Sequence, residues 1–549
     1  MPGKHSSRKT LFFFAPLITI FLFAGGCGSP ERGRSVEAPG SAGVISDVRP
    51  PKRRRRNTSQ TYKRWLAFYG GEDAEEFENV VQDSRGDLVS VGGADAYSGD
   101  DEGDAIAIKL DEYGNVLWAK TYGGNEDDAL IDIAVAPEGG YIAAGWTKSF
   151  GAEGTDVWVV KIDEEGEIEW ERRYGGDGDE QATTIDADDR GFVVGAGTTS
   201  FGAGQTDIWI LCLSRDGKIL WQNAYGGPKD ESPPSDYGEF AVGAFFDKKG
   251  NIVAGATSLS YEENGDILVL KLEPEGGLPI WQRLYGTEEA EGIWTIAGLE
   301  NGDYLIPGIR EDPKRDYEEV EWIARVREKD GTIVWQKEIG IAGASSEPLN
   351  ASATRDGGIL LAGYFERGEE DWYSSGIRMD AEGGIRWAFQ EKKGRLDYLD
   401  DLVELRDGSL VGVGIYNSPD KDNQLMSFRF SARGGDGCGI IRDLDYEEAP
   451  GPLKWRSVSV MRTPTKVIAK KTAATTRDIA RFMAPDYECG SPEAKAEAKG
   501  FFSHDRDFLV RRAPGDARKA VGFPLGPVLS HNIEKGPSGH AGEEAYDGS

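Results

Sequence analysis

The chain is short of the residues on which much enzyme chemistry depends. It has four histidines and four cysteines in 549 residues, and no histidine falls between Trp65 and Cys438: His5 lies near the start, and His504, His531 and His540 near the end. That long middle stretch therefore cannot supply a Ser-His-Asp triad, a Cys-His pair or a histidine-ligated zinc. Basic residues are also scarce, 63 Lys and Arg against 95 Asp and Glu, for a net charge of -32. Nucleic-acid binding draws its affinity from cations on phosphates, so the composition argues against that partner class. The acidity reads first as a well-solvated surface, and second as a means of holding a cation or a basic partner. The 74 glycines keep no three-residue period, which rules out a collagen-like chain.

One long apolar run exists, LFFFAPLITIFLFAGG, preceded by Arg8 and Lys9 and followed by Cys27. Basic start, apolar core and small residues are the parts of a secretory signal, expected over residues 1–26. The run is too short and wrongly flanked for a stable membrane span. Ala24-Gly25-Gly26-Cys27 resembles a bacterial lipobox, although Leu is commoner than Ala at its first position. The resemblance implies lipidation of Cys27 and a membrane anchor facing the periplasm or cell surface; ordinary cleavage nearby is the alternative. Residues 27–61 are rich in Gly, Ser, Pro and Arg and read as a flexible basic tether. Its Lys52–Arg56 run is either a solvated linker or a contact for anionic headgroups.

What the chain has in abundance is glycine and regularly spaced aromatics. Trp65, Trp118, Trp170, Trp221, Trp281, Trp335 and Trp387 follow one another at 53, 52, 51, 60, 54 and 52 residues. An aromatic-glycine pair follows four residues later, as at Tyr69-Gly70, Tyr122-Gly123 and Tyr174-Gly175, fading toward Ile339-Gly340. Within a unit, runs such as IDIAVA, YIAAGW, DVWVVKI and EIEWERRY are short, alternating or β-branched, and bounded by Gly, Asp or Asn. These are strand and hairpin signals. Seven units of four antiparallel strands predict an all-β, seven-bladed β-propeller over residues 62–437. The first unit opens with a lone Trp-bearing strand and the last stops after three. The N-terminal strand is therefore expected to complete the last blade and close the ring, removing two open sheet edges. A glycine recurs in each second strand, at Gly92, Gly145, Gly197, Gly308, Gly363 and Gly414, with Gly255 one residue early. Strand glycine implies close approach, expected here between blades or near the axis.

The link between third and fourth strands reads D-x-x-G-x-x-x-W at Asp111-Gly114-Trp118, Asp163-Gly166-Trp170 and Asp380-Gly383-Trp387, with close variants at Ser214-Gly217-Trp221 and Glu328-Gly331-Trp335. This resembles the tryptophan-docking motif of quinoprotein-like propellers, and the whole unit is similar to the YGG-type repeats of bacterial and archaeal secreted lipoproteins. The resemblance implies that the seven tryptophans wedge between blades. It carries no activity across. Quinone-dependent dehydrogenases typically have eight blades and often a vicinal cysteine pair, whereas Cys212 is alone here. Sialidase Asp boxes are spaced more tightly, and outer-membrane assembly propellers are usually eight-bladed.

Two acidic columns recur. Ten residues after the tryptophan stand Glu75, Asp128, Glu180, Glu231, Glu291 and Asp397, with Ser345 the exception; before the third strand stand Asp104, Asp156, Asp207, Asp266, Glu321, Asp371 and Asp422. Repetition favours a repeated structural task, the holding of turn N–H groups. Calcium on one rim is the functional alternative, and it is the sole cofactor the sequence suggests. An acid pair for glycoside hydrolysis is a further one, but the sequence singles out no pair.

After the ring, residues 438–489 are basic, with short β-like stretches around Trp455–Met461 and Lys466–Ala469 that suggest a small hairpin on the disc. Cys438 and Cys489 either pair in an oxidising compartment or remain free thiols. Residues 490–549 lack periodicity and read as a disordered tail. The sequence thus points to an envelope-anchored, non-enzymatic scaffold for a protein or glycan partner. The alternative is a secreted carboxylate-dependent polysaccharide hydrolase or lyase, with or without calcium.

Overall fold

The computed structural model describes residues 64–70, 75–94, 103–150, 154–202, 205–231, 240–261, 265–315, 318–367, 371–391, 396–416 and 424–433, together with short strand segments and Leu444 between 441 and 490. Cys27, the signal and tether, Asp422, Cys438 and the stretch from 491 onward lie outside the described residues, and so do the side chains of Asp371, Asp397 and Cys489.

Seven antiparallel sheets form seven blades: residues 75–123, 128–174, 180–226, 242–286, 291–340, 345–391 and 396–431. The last supplies only three strands from its own stretch. Its fourth is Trp65–Tyr69, paired antiparallel with Gln424–Ser431. All five residues of that strand are buried, and they alternate: Trp65, Ala67 and Tyr69 pack toward blade 1, Leu66 and Phe68 toward blade 6. Every seam between neighbouring blades holds one apolar cluster, and blades 7 and 1 are joined like the rest. A strand buried on both faces needs apolar residues at successive positions, which is why the third strands read DVWVVKI and DIWILCL.

The first strands of neighbouring blades are laced together by carboxylates. Asp132 accepts the Ile185 N–H of the next blade at 2.7 Å, Asp186 that of Phe246 at 2.9 Å, and Asp401 that of Val80 at 3.3 Å. The last of these links blade 7 to blade 1. Four of the recurrent second-strand glycines have a different cause from the one expected. A Cβ on Gly92, Gly145, Gly363 or Gly414 would run into the carbonyl oxygen of Glu76, Ala129, Glu347 or Tyr398, in the first strand of the same blade. That strand carries a bulge there, with register shifts between Phe77 and Asn79, Leu130 and Asp132, Pro348 and Asn350, and Leu399 and Asp401. At these four the crowding comes from the bulge, whereas at Gly197 and Gly255 it comes, as expected, from the next blade, through Phe240 in one case and Ile293 and Ile296 in the other.

The tail departs from expectation most clearly. Among the described residues it forms no hairpin of its own, and the expected stretch Lys466–Ala469 lies outside them. Each of its strands adds to the outer edge of a different blade: Ile441–Asp443 on blade 6, Glu447–Pro450 on blade 5, Lys454–Ser457 on blade 4, Met461–Pro464 on blade 3, Lys470–Lys471 on blade 2, Thr475–Asp478 on blade 1 and Asp486–Gly490 on Trp65–Phe68 of blade 7. The segment is a belt that passes the blades in reverse order and adds one strand to each, giving five-stranded sheets and, in blade 5, where the first strand is split into Glu291–Gly292 and Ala297–Gly298, a six-stranded one. Outer strands of a propeller leave unpaired N–H and C=O groups, and the belt occupies them.

Candidate functional site

The tryptophans hold the seams by a repeated contact. The indole N–H of Trp118 donates to the Glu164 carbonyl at 3.0 Å, Trp170 to Arg215 at 3.1 Å, Trp221 to Pro274 at 2.9 Å, Trp281 to Glu328 at 3.1 Å, Trp335 to Ala381 at 3.1 Å and Trp387 to Ala432 at 3.1 Å. The first five acceptors lie in the turn between third and fourth strands of the following blade, and Ala432 directly follows the third strand of blade 7. Trp65 has its ring against Gly114 of the same turn in blade 1, and its indole nitrogen makes no hydrogen bond among the described residues. The turn itself is set by sequence. Asp163 accepts the N–H groups of Glu165 and Glu167 at 2.9 and 2.8 Å, and Gly166 takes a φ of +78°. The repeat tyrosines complete the lock, Tyr122 and Tyr174 donating to the carbonyls of Gly166 and Gly217 at 2.8 and 2.7 Å.

The two acidic columns meet. At Gly123, Gly175, Gly226 and Gly286, the glycines after the repeat tyrosines, an added Cβ would strike one carboxylate from each column: Asp104 and Asp128, Asp156 and Glu180, Asp207 and Glu231, Asp266 and Glu291. The first column caps turns. Gly124 N–H donates to Asp128 at 2.8 Å, Gly176 to Glu180 at 2.7 Å and Thr287 to Glu291 at 3.0 Å. Ser258 donates to Glu231 at 2.8 Å, and Glu75 is buried at the corresponding place beside Gly70. Packing two buried acids together raises their proton affinity. Burial, then the charges of Glu231 and Asp230, push Asp207 up to about 10. Burial also pushes Glu231 up to about 8, Glu291 to about 7 and Glu321 to about 8. In blade 2 a guanidinium answers the pair instead, since Arg173 forms an ion pair with Asp156. No cluster of three or more His, Cys, Asp or Glu is arranged as a metal shell among the described residues.

A second group of acids differs in kind, because it is half-exposed and set among aromatic rings. It lies at the starts of the first and third strands of blades 5 to 7. Glu347 of blade 6 accepts the Trp294 indole N–H of blade 5 at 3.0 Å. Tyr364 stands opposite Glu347 in the ladder. Glu319, at the start of the third strand of blade 5, donates its backbone N–H to Ser345 at 3.2 Å, two residues before Glu347. Burial, then the charge of Glu347 and a hydrogen bond to it, raise Glu319 well above the ordinary carboxylate range, and Glu311 and Glu366 push the same way. Beside them the rings of Tyr364, Trp372 and Tyr398 form one patch, with centroids 5.1, 4.8 and 5.4 Å apart pairwise. A shallow depression lined by Ala290, Glu291, Gly292, Ile309, Glu311 and Glu319 adjoins it. This patch was not singled out by the sequence. Its signal is the stretch YFERGEEDWYSS, which puts large aromatics where blades 3 and 4 have the smaller residues of TTS and ATSLS.

No protein-family description matches the chain. A regulatory protein, FlaEY, from Caulobacter vibrioides is 24% identical over 157 residues, which are 24% of this chain and 16% of that protein. The chain thus matches well under two thirds of its relative's length. Among solved structures, a protein of unknown function from Dyadobacter fermentans is similar at 12% identity with a TM-score of 0.36, over 67% of this chain and 99% of that one. The mannose phosphorylase MPT-4 of Leishmania mexicana, solved with a phosphate ion, is similar at 10% identity with a TM-score of 0.22, over 71% and 91%.

Proposed function

We propose that the chain is a non-enzymatic binding scaffold of the bacterial cell envelope, exported by its N-terminal signal, anchored through a lipid on Cys27, and presenting one rim of the propeller to a protein or glycan partner. The observation that carries this reading is the half-exposed patch of Tyr364, Trp372 and Tyr398 on blades 6 and 7. Large rings left partly open beside acids are costly as packing and useful as contacts. The belt favours the rim over the circumference, since it fills the strand edges to which a partner strand would add. The likeness to a protein named as regulatory accords with a binding role.

The carboxylate-dependent hydrolase or lyase would draw on the Glu319–Glu347 pair. Glycoside hydrolysis needs two carboxyls ~5 Å or more apart about a seated sugar, and the depression beside Glu319 is too shallow to seat one. That favours binding. Affinity capture from envelope extract tests the reading, using the full chain beside a Tyr364→Ala/Trp372→Ala/Tyr398→Ala variant. Capture of a specific partner by the parent and its loss in the variant is expected. Equal capture by both, or turnover of envelope polysaccharide by the parent alone, would overturn it.

A further inference from the structure

At the seam of blades 3 and 4 three carboxyl groups are buried with no base to balance them. Asp207, at the start of the third strand of blade 3, and Asp230 and Glu231, in the link to blade 4, are 1, 0 and 0% exposed. The preceding seams show how the fold otherwise meets such charge. Between blades 2 and 3, Arg173 forms an ion pair with Asp156. Arg173 stands opposite Trp158 in the ladder, and the residue opposite the corresponding Trp209 is Ala224. Between blades 1 and 2, Lys148 pairs with Asp127 at 2.5 Å. Lys148 also donates its backbone N–H to the Asp127 carbonyl, and the residue that does the same to Asp230 is Leu259. At the seam of blades 3 and 4 both basic positions are therefore apolar. Lys229 is exposed and forms no ion pair among the described residues, and the flanking stretches outside them, 203–204 and 232–239, contain no Lys, Arg or His. The belt sets Arg462 opposite Tyr225, which shares the face of Ile208 and not that of Asp207.

The oxygens of these acids are left over by the fold. Neither oxygen of Asp207 has a hydrogen-bond partner, and neither has Asp230 Oδ2 or Glu231 Oε2. The other two accept the hydroxyls of Thr206 at 3.2 Å and Ser258 at 2.8 Å. The leftover oxygens also converge: the place that a Cβ on Gly226 would take lies 2.2 Å from Glu231 Oε2 and 2.5 Å from Asp207 Oδ1. Two oxygens that close to one point can be bridged by an ion with metal–oxygen distances of about 2.3–2.6 Å. A proton on Asp207 would neutralise it but leave a buried O–H with no acceptor, whereas an ion uses the leftover oxygens themselves. We propose that the seam of blades 3 and 4 binds a calcium ion, with Asp207 and Glu231 as direct ligands and Asp230 adding a third negative charge. The three acids do not close a metal shell by themselves. Calcium suits such a site because it takes carboxylates together with carbonyls and waters in flexible geometry, where magnesium demands a near-ideal octahedron. The ion ties the third strand of blade 3 to the link into blade 4, and this brace stands or falls independently of the scaffold reading.

The test starts from the full chain stripped with a chelator and dialysed, in which the acids hold protons instead. Calcium chloride is added up to about 10 mM, above the dissociation constants of about 0.1–1 mM typical of extracellular calcium modules. A saturable rise of a few degrees in melting temperature is expected, with a single calcium ion per chain by equilibrium dialysis and no comparable rise with magnesium. Asp207→Asn keeps the shape, removes a buried charge and should abolish the calcium response. Asp156→Asn, at the seam that Arg173 already balances, should leave the response intact. Ala224→Arg places that same base at the calcium seam and should make stability independent of calcium. Circular dichroism checks that each variant folds, and if Ala224→Arg does not, the contrast between Asp207→Asn and Asp156→Asn decides. No response of the folded parent to calcium, an equal response to magnesium, or a calcium response unchanged in Asp207→Asn would overturn the inference.

Discussion

Removing residues 58–69 takes away the strand Trp65–Tyr69, and the structure shows what that strand carries. Trp65, Leu66, Phe68 and Tyr69 are 1, 0, 8 and 1% exposed. Burial of a large apolar side chain contributes roughly 1.5–3 kcal/mol, so these four account for on the order of 8 kcal/mol. Tyr69 also donates to the Gly114 carbonyl at 2.8 Å, and the strand pairs on both sides, with Gln424–Ser431 and with Asp486–Gly490. A domain's whole stability is about 5–15 kcal/mol. The deletion should therefore leave no cooperative unfolding transition in urea followed by tryptophan fluorescence. A synthetic peptide covering residues 62–70, added in trans, should restore it. A truncated chain that unfolds within about 0.5 kcal/mol of the parent without peptide would refute the reasoning, because surface changes alone fall in that range.

Three further outcomes follow from particular contacts. Truncation after Gly437 removes the belt, whose strands make two to four register pairs per blade. A net gain of about 1 kcal/mol per hydrogen bond nearly cancels an ordering cost of about 1–2 kcal/mol per residue, so the melting temperature should change little while light scattering reports association through the opened edges. Gly166→Ala should destabilise more than Gly343→Ala: both glycines have positive φ, +78 and +69°, but a Cβ at 166 meets the Trp118 ring at 3.1 Å and one at 343 meets nothing within 4 Å. Equal urea midpoints for the two variants would contradict the docking geometry.

Stability should also depend on pH in two opposed windows. Glu231 and Glu291 have folded-state proton affinities raised to about 8 and 7, so their contribution is full below about pH 4.5 and is lost as pH rises through those values. Burial pushes Asp83 and Asp247 up, but hydrogen bonds from Lys109 and Tyr141 in one case, and from Lys271, Asn251 and Tyr304 in the other, outweigh it and bring both to about 2; their contribution is lost as pH falls from about 4 toward 2. Unfolding free energy should thus peak near pH 4–5 and decline toward pH 8, and Glu231→Gln should flatten the upper limb. A profile rising steadily from pH 5 to 8 would contradict this.

Much of the propeller was legible because its parts are local and repeated. A tryptophan every fifty-odd residues, a turn with Asp and Gly at fixed spacing, and short alternating runs each dictate conformation through their nearest neighbours. The meeting of the two acidic columns was not legible, since it joins residues about 24 apart, such as Asp207 and Glu231, through the pairing of third and fourth strands. The belt escaped for another reason. Its strands span only two to five residues, as at Lys470–Lys471 and Asp486–Gly490, too short to show a period, and they form because the blades offer edges. The faint signal was the pair of β-like stretches around Trp455–Met461 and Lys466–Ala469. The rim patch was hidden by abundance: in a chain with 95 acids, Glu319 and Glu347 are distinguished only by standing together beside Trp294 and Tyr364.

Recognition at the rim of blades 5 to 7 is tested most directly by hydrogen exchange of the full chain with and without its captured envelope partner. Protection confined to residues 291–298, 318–321, 345–350, 363–366, 371–374 and 396–400 is the expected result. Protection at the opposite rim, in turns such as 83–87 and 136–140, or along the belt strands between 441 and 490, would contradict it.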